Sequence, residues 1–310
     1  MDDIAECFDR SSRGSKLISR YPVSFSAITA WAAENNIRVS EARLRFAQYG
    51  VLQSIAGSQV LSSSLVFKGG NALDFVWQPN RSTVDLDFSS RDSGLTIERI
   101  RTYFEPSLRR VSTASGALYR LQRLEQQPPG EGRSFITFNV SIGYALADDL
   151  RNQQRIREGK PSMARIPVEI SLNEPICAAE EIELASANSL QVSTQEDIIA
   201  EKLRALLQQV PRNRTRPQDV LDIVVALNRG AYLRPDVVAD FLRRKAASRN
   251  VEVSMNLFLA EELWSRAEQG YAELQSTARD LFVPFGVAKE ILLAFIATLP
   301  LRGAGINRPI

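Results

Sequence analysis

The sequence predicts an α/β (α+β) protein with a small mixed sheet, an N-terminal helical cap and a C-terminal helical bundle. Three observations predict this fold class. Apolar residues recur at helical spacing over residues 24–59, five β-branched or aromatic runs follow, and beyond residue 188 the spacing is helical again. A chain of 310 residues is long enough for two domains, which we place at residues 1–188 and 189–310.

The N-terminal region is expected to form two helices that break at Asn35-Asn36. Five strands and one helix are predicted after it. The helix, LTIERIRTYF, follows the second strand, and the turn sequence QQPPGEGR favours a hairpin between the third and fourth strands. The predicted strands are LVFK, VDLDF, ALYRLQRL, FITFNVSI and RIPVEISL.

The C-terminal third is predicted to be helical throughout. Its first helix has two possible capping boxes, Ser193 with Glu196 and Thr194 with Asp197. The predicted helices are EDIIAEKLRALLQQV, QDVLDIVVALN, PDVVADFLRRKAASR, EELWSRAEQGYAEL and VAKEILLAFIATL.

Composition excludes several classes of active site. The chain has no histidine, which rules out Ser-His-Asp and Cys-His nucleophiles and every metal site that needs imidazole. Its two cysteines, Cys7 and Cys177, lie far apart and form no CxxC motif, so a reducing compartment is expected. Chemistry must therefore rely on carboxylates, lysine, hydroxyls or a hard metal ion.

The net charge of +2 does not by itself indicate a nucleic-acid-binding protein. Of the 38 basic residues, however, 32 are arginine, which pairs well with phosphate. Codon usage in a GC-rich genome explains the same bias, and both explanations stay open. The acidic N-terminus has no signal-peptide pattern and no apolar stretch is long enough to span a bilayer, so we expect a cytoplasmic protein with no membrane partner.

Two glycines end a short apolar strand in VFKGGNALDFVWQPNRSTVDLDF, and an Asp-Leu-Asp follows. On a strand, Asp85 and Asp87 share one face, whereas Val84, Leu86 and Phe88 are expected to face the core. Two carboxylates this close repel each other unless a cation lies between them, and Mg²⁺ or Mn²⁺ suits such hard oxygen ligands. A solvated strand edge is the alternative for this motif taken alone.

The glycines themselves indicate a phosphate site. Gly69 and Gly70, at the start of a predicted helix, would present backbone N–H groups to an anion, although a tight turn is the alternative. Their spacing matches neither a P-loop nor GxGxxG. Glu169, at an alternating position of the last predicted strand, is our choice for a third metal-binding carboxylate, and a solvent-facing strand residue is its alternative.

The first C-terminal helices carry further charged candidates. Lys202 lies on the flank of the buried face of its helix, where a lysine must either extend to solvent or meet an anion. Asp219 and Asp222 share one helical face at a spacing of three residues. The arginines that precede them form either a solvated charge run or a rim for nucleotide or RNA; they are Arg212, Arg214 and Arg216.

Taken together, these motifs resemble the DNA polymerase β-like nucleotidyltransferases and, more specifically, the AbiEii/AbiGii nucleotidyltransferase toxins. Four segments are similar, in the same order, to the four motifs of that family: KGGNAL, RSTVDLDF, EDIIAEKLRALL and RPQDVLDIVVAL. The resemblance covers residues 66–228 and implies a polymerase β-like nucleotidyltransferase core.

The resemblance implies a role for each matching residue. Gly69 and Gly70 would hold the triphosphate of an NTP. Asp85 and Asp87 would bind the metal ions, with Glu169 completing the set of catalytic, metal-binding carboxylates.

The remaining matches would contact the nucleotide or assist the reaction. Arg81 and Ser82 match the Arg-x-Ser/Thr position ahead of the aspartate pair. Lys202 and Asp219 would be catalytic, and Lys202 and Asp222 would contact the nucleotide. Asn71, also expected at the nucleotide, departs from the Ser or Thr that the family usually has there.

The implied activity is metal-dependent transfer of a nucleoside monophosphate from an NTP to a hydroxyl, with the 3′ end of tRNA as the expected acceptor. The protein would be the toxin of a toxin–antitoxin or abortive-infection pair, with its antitoxin encoded elsewhere. Two alternatives stay open. In the first, the acceptor is a protein hydroxyl or a small molecule such as an aminoglycoside. In the second, the chain binds nucleotide without transferring it. Asn71 supports the second alternative, whereas intact Asp85, Asp87 and Lys202 oppose it.

Overall fold

The computed structural model describes residues 21–81, 83–130, 132–184 and 188–301. Its N-terminal part contains helices α1 (Ile28–Glu34), α2 (Val39–Ala56) and α3 (Gln59–Ser64). The break between α1 and α2 falls at Asn35–Asn36 as predicted, and Asn36 has a positive φ of 51° there. These helices cover one side of a central sheet, against which the largely buried α2 packs.

The sheet is mixed and has seven strands in the order β3-β4-β5-β2-β1-β7-β6. Strand β1 runs antiparallel to β2 and parallel to β7, whereas β2 runs parallel to β5. The strands are β1 (Leu65–Lys68), β2 (Leu86–Ser90), β3 (Leu118–Gln127), β4 (Thr137–Ala145), β5 (Arg165–Ser171), β6 (Ala179–Glu183) and β7 (Ser189–Ser193). The predicted mixed sheet is therefore confirmed, including the hairpin between β3 and β4.

Two strands were missed by the sequence pattern. Strand β6, AEEIE, is an edge strand with no buried residue, so it has no apolar signal. Strand β7 is only five residues long but pairs with β1 in the interior of the sheet. The sheet therefore extends to Ser193, past the expected domain boundary at residue 188.

Three helices connect the strands. Helix α4 (Gly69–Ala72) follows β1 and continues as a π-helical turn, Leu73–Trp77. Helix α5 (Ile97–Ser115) packs on α2 and β3, and α6 (Leu150–Arg157) packs on β4. Residue 84 begins no strand: Val84 is 51% exposed rather than buried as expected, because β2 starts only at Leu86.

Beyond the sheet the described chain is helical. Thr194 caps the first of these helices by accepting a hydrogen bond from Asp197 N at 3.3 Å, so the second of the two possible capping boxes supplies the cap. The helices are α7 (Gln195–Gln208), α8 (Pro217–Asn228), α9 (Pro235–Ala247), α10 (Met255–Leu259), α11 (Glu261–Glu268), α12 (Gln275–Ala278) and α13 (Phe285–Thr298).

The buried apolar residues form two clusters that divide within α7. One contains the sheet and the N-terminal helices and ends at Ile198, and the other begins at Ile199 and extends through the C-terminal helices to Leu299. Helix α7 therefore contributes to both cores, which fixes its charged residues against the end of the sheet.

In the part of the chain that the structure describes, no single helix is long and apolar enough to cross a membrane. One bent pair, Ala272–Leu281 with Phe285–Thr298, meets the criteria of length and composition only when its halves, 71° apart, are taken together. Cys177 is a free, half-buried thiol, and Cys7 lies outside the described residues.

Candidate active site

Charged side chains line up across the sheet at the ends of three adjacent strands. Lys68 of β1 is in register with Asp87 of β2, which is in register with Glu169 of β5. The residues next to them, such as Phe88 and Ile170, are fully buried on the opposite face. The structure therefore brings the predicted Asp87 and Glu169 side by side on one face.

Gly69 lies directly against this row. Its φ is +77°, and a Cβ atom added to it would lie 2.3 Å from Asp87 Oδ2. Glycine is required here both for the left-handed backbone and for the space that the carboxylate occupies. The Gly-Gly turn and the Asp-x-Asp strand thus form one compact unit.

The positive charge around Asp87 is too small to keep the pKa of its carboxyl at the usual value. Burial, followed by the negative charges of Asp85 and Glu169, raises the pKa of Asp87 to about 7 against the opposing effects of Lys68 and Lys202. Partial desolvation and the charge of Asp85 also raise the pKa of Glu169. A cation placed among these carboxylates would offset their repulsion and lower both pKa values.

The three carboxylates are neighbours, but they do not converge into a ready-made ligand set. Among the described residues, no group of three or more acidic or cysteine side chains has the geometry to hold a metal ion. Their chemistry nevertheless fits a divalent ion, because they are hard oxygen donors whose mutual repulsion raises their affinity for positive charge. Asp85, Asp87 and Glu169 are the residues that would hold Mg²⁺ or Mn²⁺.

A second charged cluster lies on the other side of the Gly-Gly turn and is fully ion-paired. Lys202 Nζ is 2.9 Å from Asp219 Oδ1 and 2.7 Å from Asp222 Oδ2. Arg81 Nε is 2.7 Å from the other oxygen of Asp222, whose side chain is not exposed at all. A Cβ atom on Gly70 would approach Asp222 Oδ2 to 3.3 Å, so this cluster touches the second glycine.

The ion pairs of this second cluster favour the charged forms of Asp222 and Lys202. Burial alone would raise the pKa of Asp222, but the charges of Lys202 and Arg81 outweigh it and lower that pKa. Burial alone would lower the pKa of Lys202, but Asp219 and Asp222 raise it above its usual range. Contact with an anion was one of the two alternatives predicted for Lys202. The structure shows such a contact, and the anions are the carboxylates of Asp219 and Asp222.

Lys68 is the cation closest in sequence to the glycines, and it is held by a residue that sequence reasoning missed. Its ammonium pairs with Glu174, which also accepts a hydrogen bond from Arg249 Nη2 at 2.6 Å. Burial alone would lower the pKa of Lys68, but Glu174 raises it. No sequence motif marks Glu174, which follows β5 at the edge of the site.

Asn71, predicted to contact the nucleotide, holds the loop that carries Asp85. Only 1% of it is exposed, and its amide Nδ2 donates to the backbone carbonyls of Thr83 and Asp85, since an amide can donate twice. Its contact with a nucleotide stays a prediction. The predicted nucleotide contact Ser82 lies outside the described residues.

A buried polar network behind Arg81 was also missed. Asn80 Nδ2 donates to the carbonyl of Asp222 at 3.1 Å, and Asn80 Oδ1 accepts from Arg81 N at 2.8 Å. Asp74 in turn accepts from Asn80 N at 2.9 Å and pairs with the buried Arg45 of α2. This network fixes the backbone of Arg81 relative to α8.

A cavity of about 530 Å³ lies behind this network. Arg45, Asp74 and Asn80 form part of its wall, opposite Arg279, which pairs with Glu41 of α2. None of the carboxylates of the Asp-x-Asp strand lines the cavity, so it is separate from the candidate active site.

Comparison with known proteins gives the family. Two crystal structures of Helicobacter pylori proteins are similar to this chain. JHP933 is 14% identical with a TM-score of 0.42, and the alignment covers 84% of this chain and 90% of that chain. A candidate nucleotidyltransferase is 15% identical with a TM-score of 0.41, and the alignment covers 84% of this chain and 92% of that chain. No curated protein matches. The family described as nucleotidyl transferase AbiEii toxin, type IV TA system, matches residues 51–284. This match spans more than half of the chain, and the protein is a nucleotidyltransferase of the AbiEii toxin family, built on a mixed seven-stranded sheet.

Proposed function

We propose that this enzyme uses Mg²⁺ or Mn²⁺ to transfer a nucleoside monophosphate from an NTP to the 3′ hydroxyl of tRNA. The observation that carries the proposal is the row in which Asp87 lies between Lys68 and Glu169 and beside Gly69, where burial and the charges of Asp85 and Glu169 raise the pKa of Asp87 to about 7. Such a row has little structural value by itself and suits a cation with a polyphosphate.

In the proposed reaction the acceptor hydroxyl oxygen attacks the α-phosphorus of the NTP. A bond forms between these two atoms, the bond from the α-phosphorus to the bridging oxygen breaks, and pyrophosphate leaves. Asp87 or Glu169, with help from the metal ion, would accept the hydroxyl proton. A divalent ion held by these carboxylates would polarise the phosphate and offset the charge of the leaving group.

The chain's other residues bind and orient. Gly69 and Gly70 would bind the triphosphate through backbone N–H groups, and Lys68 offsets part of the negative charge of Asp87. Lys202 and Arg81 keep Asp222 charged against the second glycine. Asn71, by donating to the carbonyls of Thr83 and Asp85, would keep Asp85 in place for the reaction.

The family implies an antitoxin partner, which we expect to be encoded elsewhere and to act with this protein in the cytoplasm. The finer points, metal dependence and tRNA, are tested by one experiment. The purified enzyme, Mg²⁺ and each NTP labelled at the α-phosphate are incubated with total RNA and with total protein. Label is expected in a band of tRNA size.

The variant Asp85→Asn is expected to abolish the labelling, and Glu98→Gln, which changes an exposed acid on α5, is its matched control. Label in protein would replace the acceptor and keep the transferase. No label from any NTP, with metal-dependent nucleotide binding intact, would overturn transfer to macromolecules and direct attention to small-molecule hydroxyls.

A further inference from the structure

Lys68 lies opposite an acid with which it does not pair. It is in register with Asp87 across the antiparallel strands β1 and β2, so the two side chains leave the sheet on the same face, typically with their Cβ atoms about 5 Å apart. Opposite charges in such a position attract each other. In the part of the chain that the structure describes, however, Lys68 forms its ion pair with Glu174 and none with Asp87. A different acid therefore holds the lysine that faces Asp87.

The charged ends of the two facing side chains lie in different places. Glu174 Oε2 accepts a hydrogen bond from the Lys68 ammonium, and Glu174 Oε1 accepts one from Arg249 Nη2 at 2.6 Å. Asp87 Oδ2 instead lies over Gly69, where it would be 2.3 Å from an added Cβ atom. The carboxylate of Asp87 is therefore placed at the Gly-Gly turn, and the ammonium of Lys68 at the loop after β5.

The loop that carries Glu174 is anchored by contacts that the Glu174 side chain does not make. The carbonyl of Pro175 accepts from Lys245 Nζ of α9 at 2.8 Å. Cys177 N donates to Asp197 Oδ1 of α7 at 2.9 Å. A change of charge at Glu174 should therefore leave the backbone of this loop in place.

Removal of the Glu174 charge would leave Lys68 with one facing acid, Asp87. The Lys68 side chain is only 17% exposed, so its ammonium is poorly hydrated and needs another anion. Its stem is long and flexible, and Asp87 lies directly across the strand pair. Lys68 would then occupy the carboxylate that we propose as a ligand of the divalent ion, and the ion would have to displace it.

We propose that Glu174 is a positioning residue that holds Lys68 away from Asp87 and so keeps the Asp87 carboxylate available to a divalent ion. The inference rests on the proposed metal-dependent function, and it adds a residue that acts through Lys68 rather than on the metal or the nucleotide. It gives two neighbouring acids different roles: Asp87 binds a cation from solution, and Glu174 binds the protein's own.

The test measures the affinity for Mn²⁺ of the wild type and three variants, by titration with EPR detection of the free ion. Glu174→Gln keeps the shape of the side chain and removes its charge. Lys68→Met/Glu174→Gln also removes the competing cation. The control is Glu41→Gln, which removes an acid that is also paired with an arginine and similarly buried, at 13% exposed against 12% for Glu174, but that lies on α2 at the separate cavity.

Glu174→Gln should bind Mn²⁺ roughly 10-fold more weakly than the wild type, because a lysine beside a carboxylate changes its affinity for other cations by about this factor. The double variant should regain at least the wild-type affinity, a recovery that general loosening of the site would not produce. Glu41→Gln should stay within about twofold of the wild type. Thermal melts of all four proteins check that each is folded.

Two results of the titration would overturn the proposal. Wild-type affinity in Glu174→Gln would show that Lys68 does not compete with the ion once it is released. A double variant that binds as weakly as Glu174→Gln would assign the loss to a disturbed site rather than to the lysine.

A crystal structure of Glu174→Gln without metal gives a readout that does not depend on the ion. Lys68 Nζ should lie within about 4 Å of a carboxylate oxygen of Asp87. A lysine that keeps its wild-type position would overturn the proposal. If the wild type binds no Mn²⁺, the metal dependence of the proposed function fails, whereas the crystal structure still decides whether Glu174 holds the lysine away from Asp87.

Discussion

The two charged clusters on either side of the Gly-Gly turn differ in how far positive charge balances their carboxylates. Around Asp222, Lys202 and Arg81 balance the carboxylates and lower the pKa of Asp222. Around Asp87, burial and the charges of Asp85 and Glu169 outweigh those of Lys68 and Lys202, and its pKa rises to about 7. The contrast indicates that positive charge within the protein balances the first cluster and does not balance the second, which is why we propose a bound cation only at the second.

The largest expected effect tests the structural role of the paired cluster. Asp222→Ala leaves Arg81 and Lys202 buried with fewer negative partners, and breaking such a pair typically costs about 3–5 kcal/mol of unfolding free energy. Urea unfolding measures it, with Asp236→Ala, at an exposed position of α9, as the control. If the two variants lose equal stability, the paired cluster does not hold the fold.

Substitution of Asp87, in the other cluster, should change the unfolding free energy in the opposite direction. Because the pKa of Asp87 is raised in the folded state, its contribution to stability is lost as pH rises from the unfolded value near 4 through about 7. At about pH 8, Asp87→Asn should therefore raise the unfolding free energy by ~2 kcal/mol, since each pKa unit corresponds to about 1.4 kcal/mol and solvent screens part of it.

At about pH 4, where the wild-type carboxyl is protonated in the folded state, the same variant should be nearly neutral. Thermal melts of both proteins across this pH range measure the difference directly, and the other titrating groups cancel in it. An advantage of equal size at both ends of the range would contradict the raised pKa.

Binding of a divalent ion should offset part of the loss of stability that ionised Asp87 causes at about pH 8. With excess Mg²⁺ or Mn²⁺ at about pH 8, the melting temperature of the wild type should rise by a few degrees, because ligand binding to the folded state stabilises it by mass action. Asp87→Asn should show a much smaller rise. Na⁺ at matched ionic strength controls for general screening, and an equal rise in both proteins would place the divalent ion elsewhere.

The smallest expected effect separates two similar amides next to the paired cluster. Gln78 and Asn80 both donate to backbone carbonyls of α8, those of Ala226 and Asp222, but only Asn80 also accepts from Arg81 N. Replacing either by alanine should cost about 1–2 kcal/mol of stability. Only Asn80→Ala should also raise the KM for the nucleotide several-fold, as steady-state kinetics would show, and equal KM values would confine Asn80 to a structural role.

The sequence was sufficient for much of the fold because its strongest signals are local. Buried strands such as LVFK and the helix around Lys202 have periodic apolar residues that need no partner to be recognised. Strand β6 could not be predicted, since an exposed edge strand is stabilised by its pairing with β7 rather than by its own composition.

The candidate site was predictable in its residue types and less so in its pairings. The strand register that sets Asp87 beside Glu169 and Lys68 is a non-local property, although alternation along each strand gave the correct face. The hydrogen bonds that Asn71 donates to the loop before Asp85 could not be predicted, because an amide beside two glycines gives no sign of which direction it faces. Glu174 and Asn80 are marked by no motif, and only the folded arrangement shows what they contact.

Helix α7, which contributes to both apolar cores, has a consequence for how the protein is made. The strands with Asp87 and Glu169 leave the ribosome well before Lys202, Asp219 and Asp222, which lie in the helices that follow. During synthesis the N-terminal part of a chain emerges first and begins to fold. A nascent chain therefore has no complete paired cluster beside the second glycine until α8 has been translated, because Asp219 and Asp222 both belong to that helix.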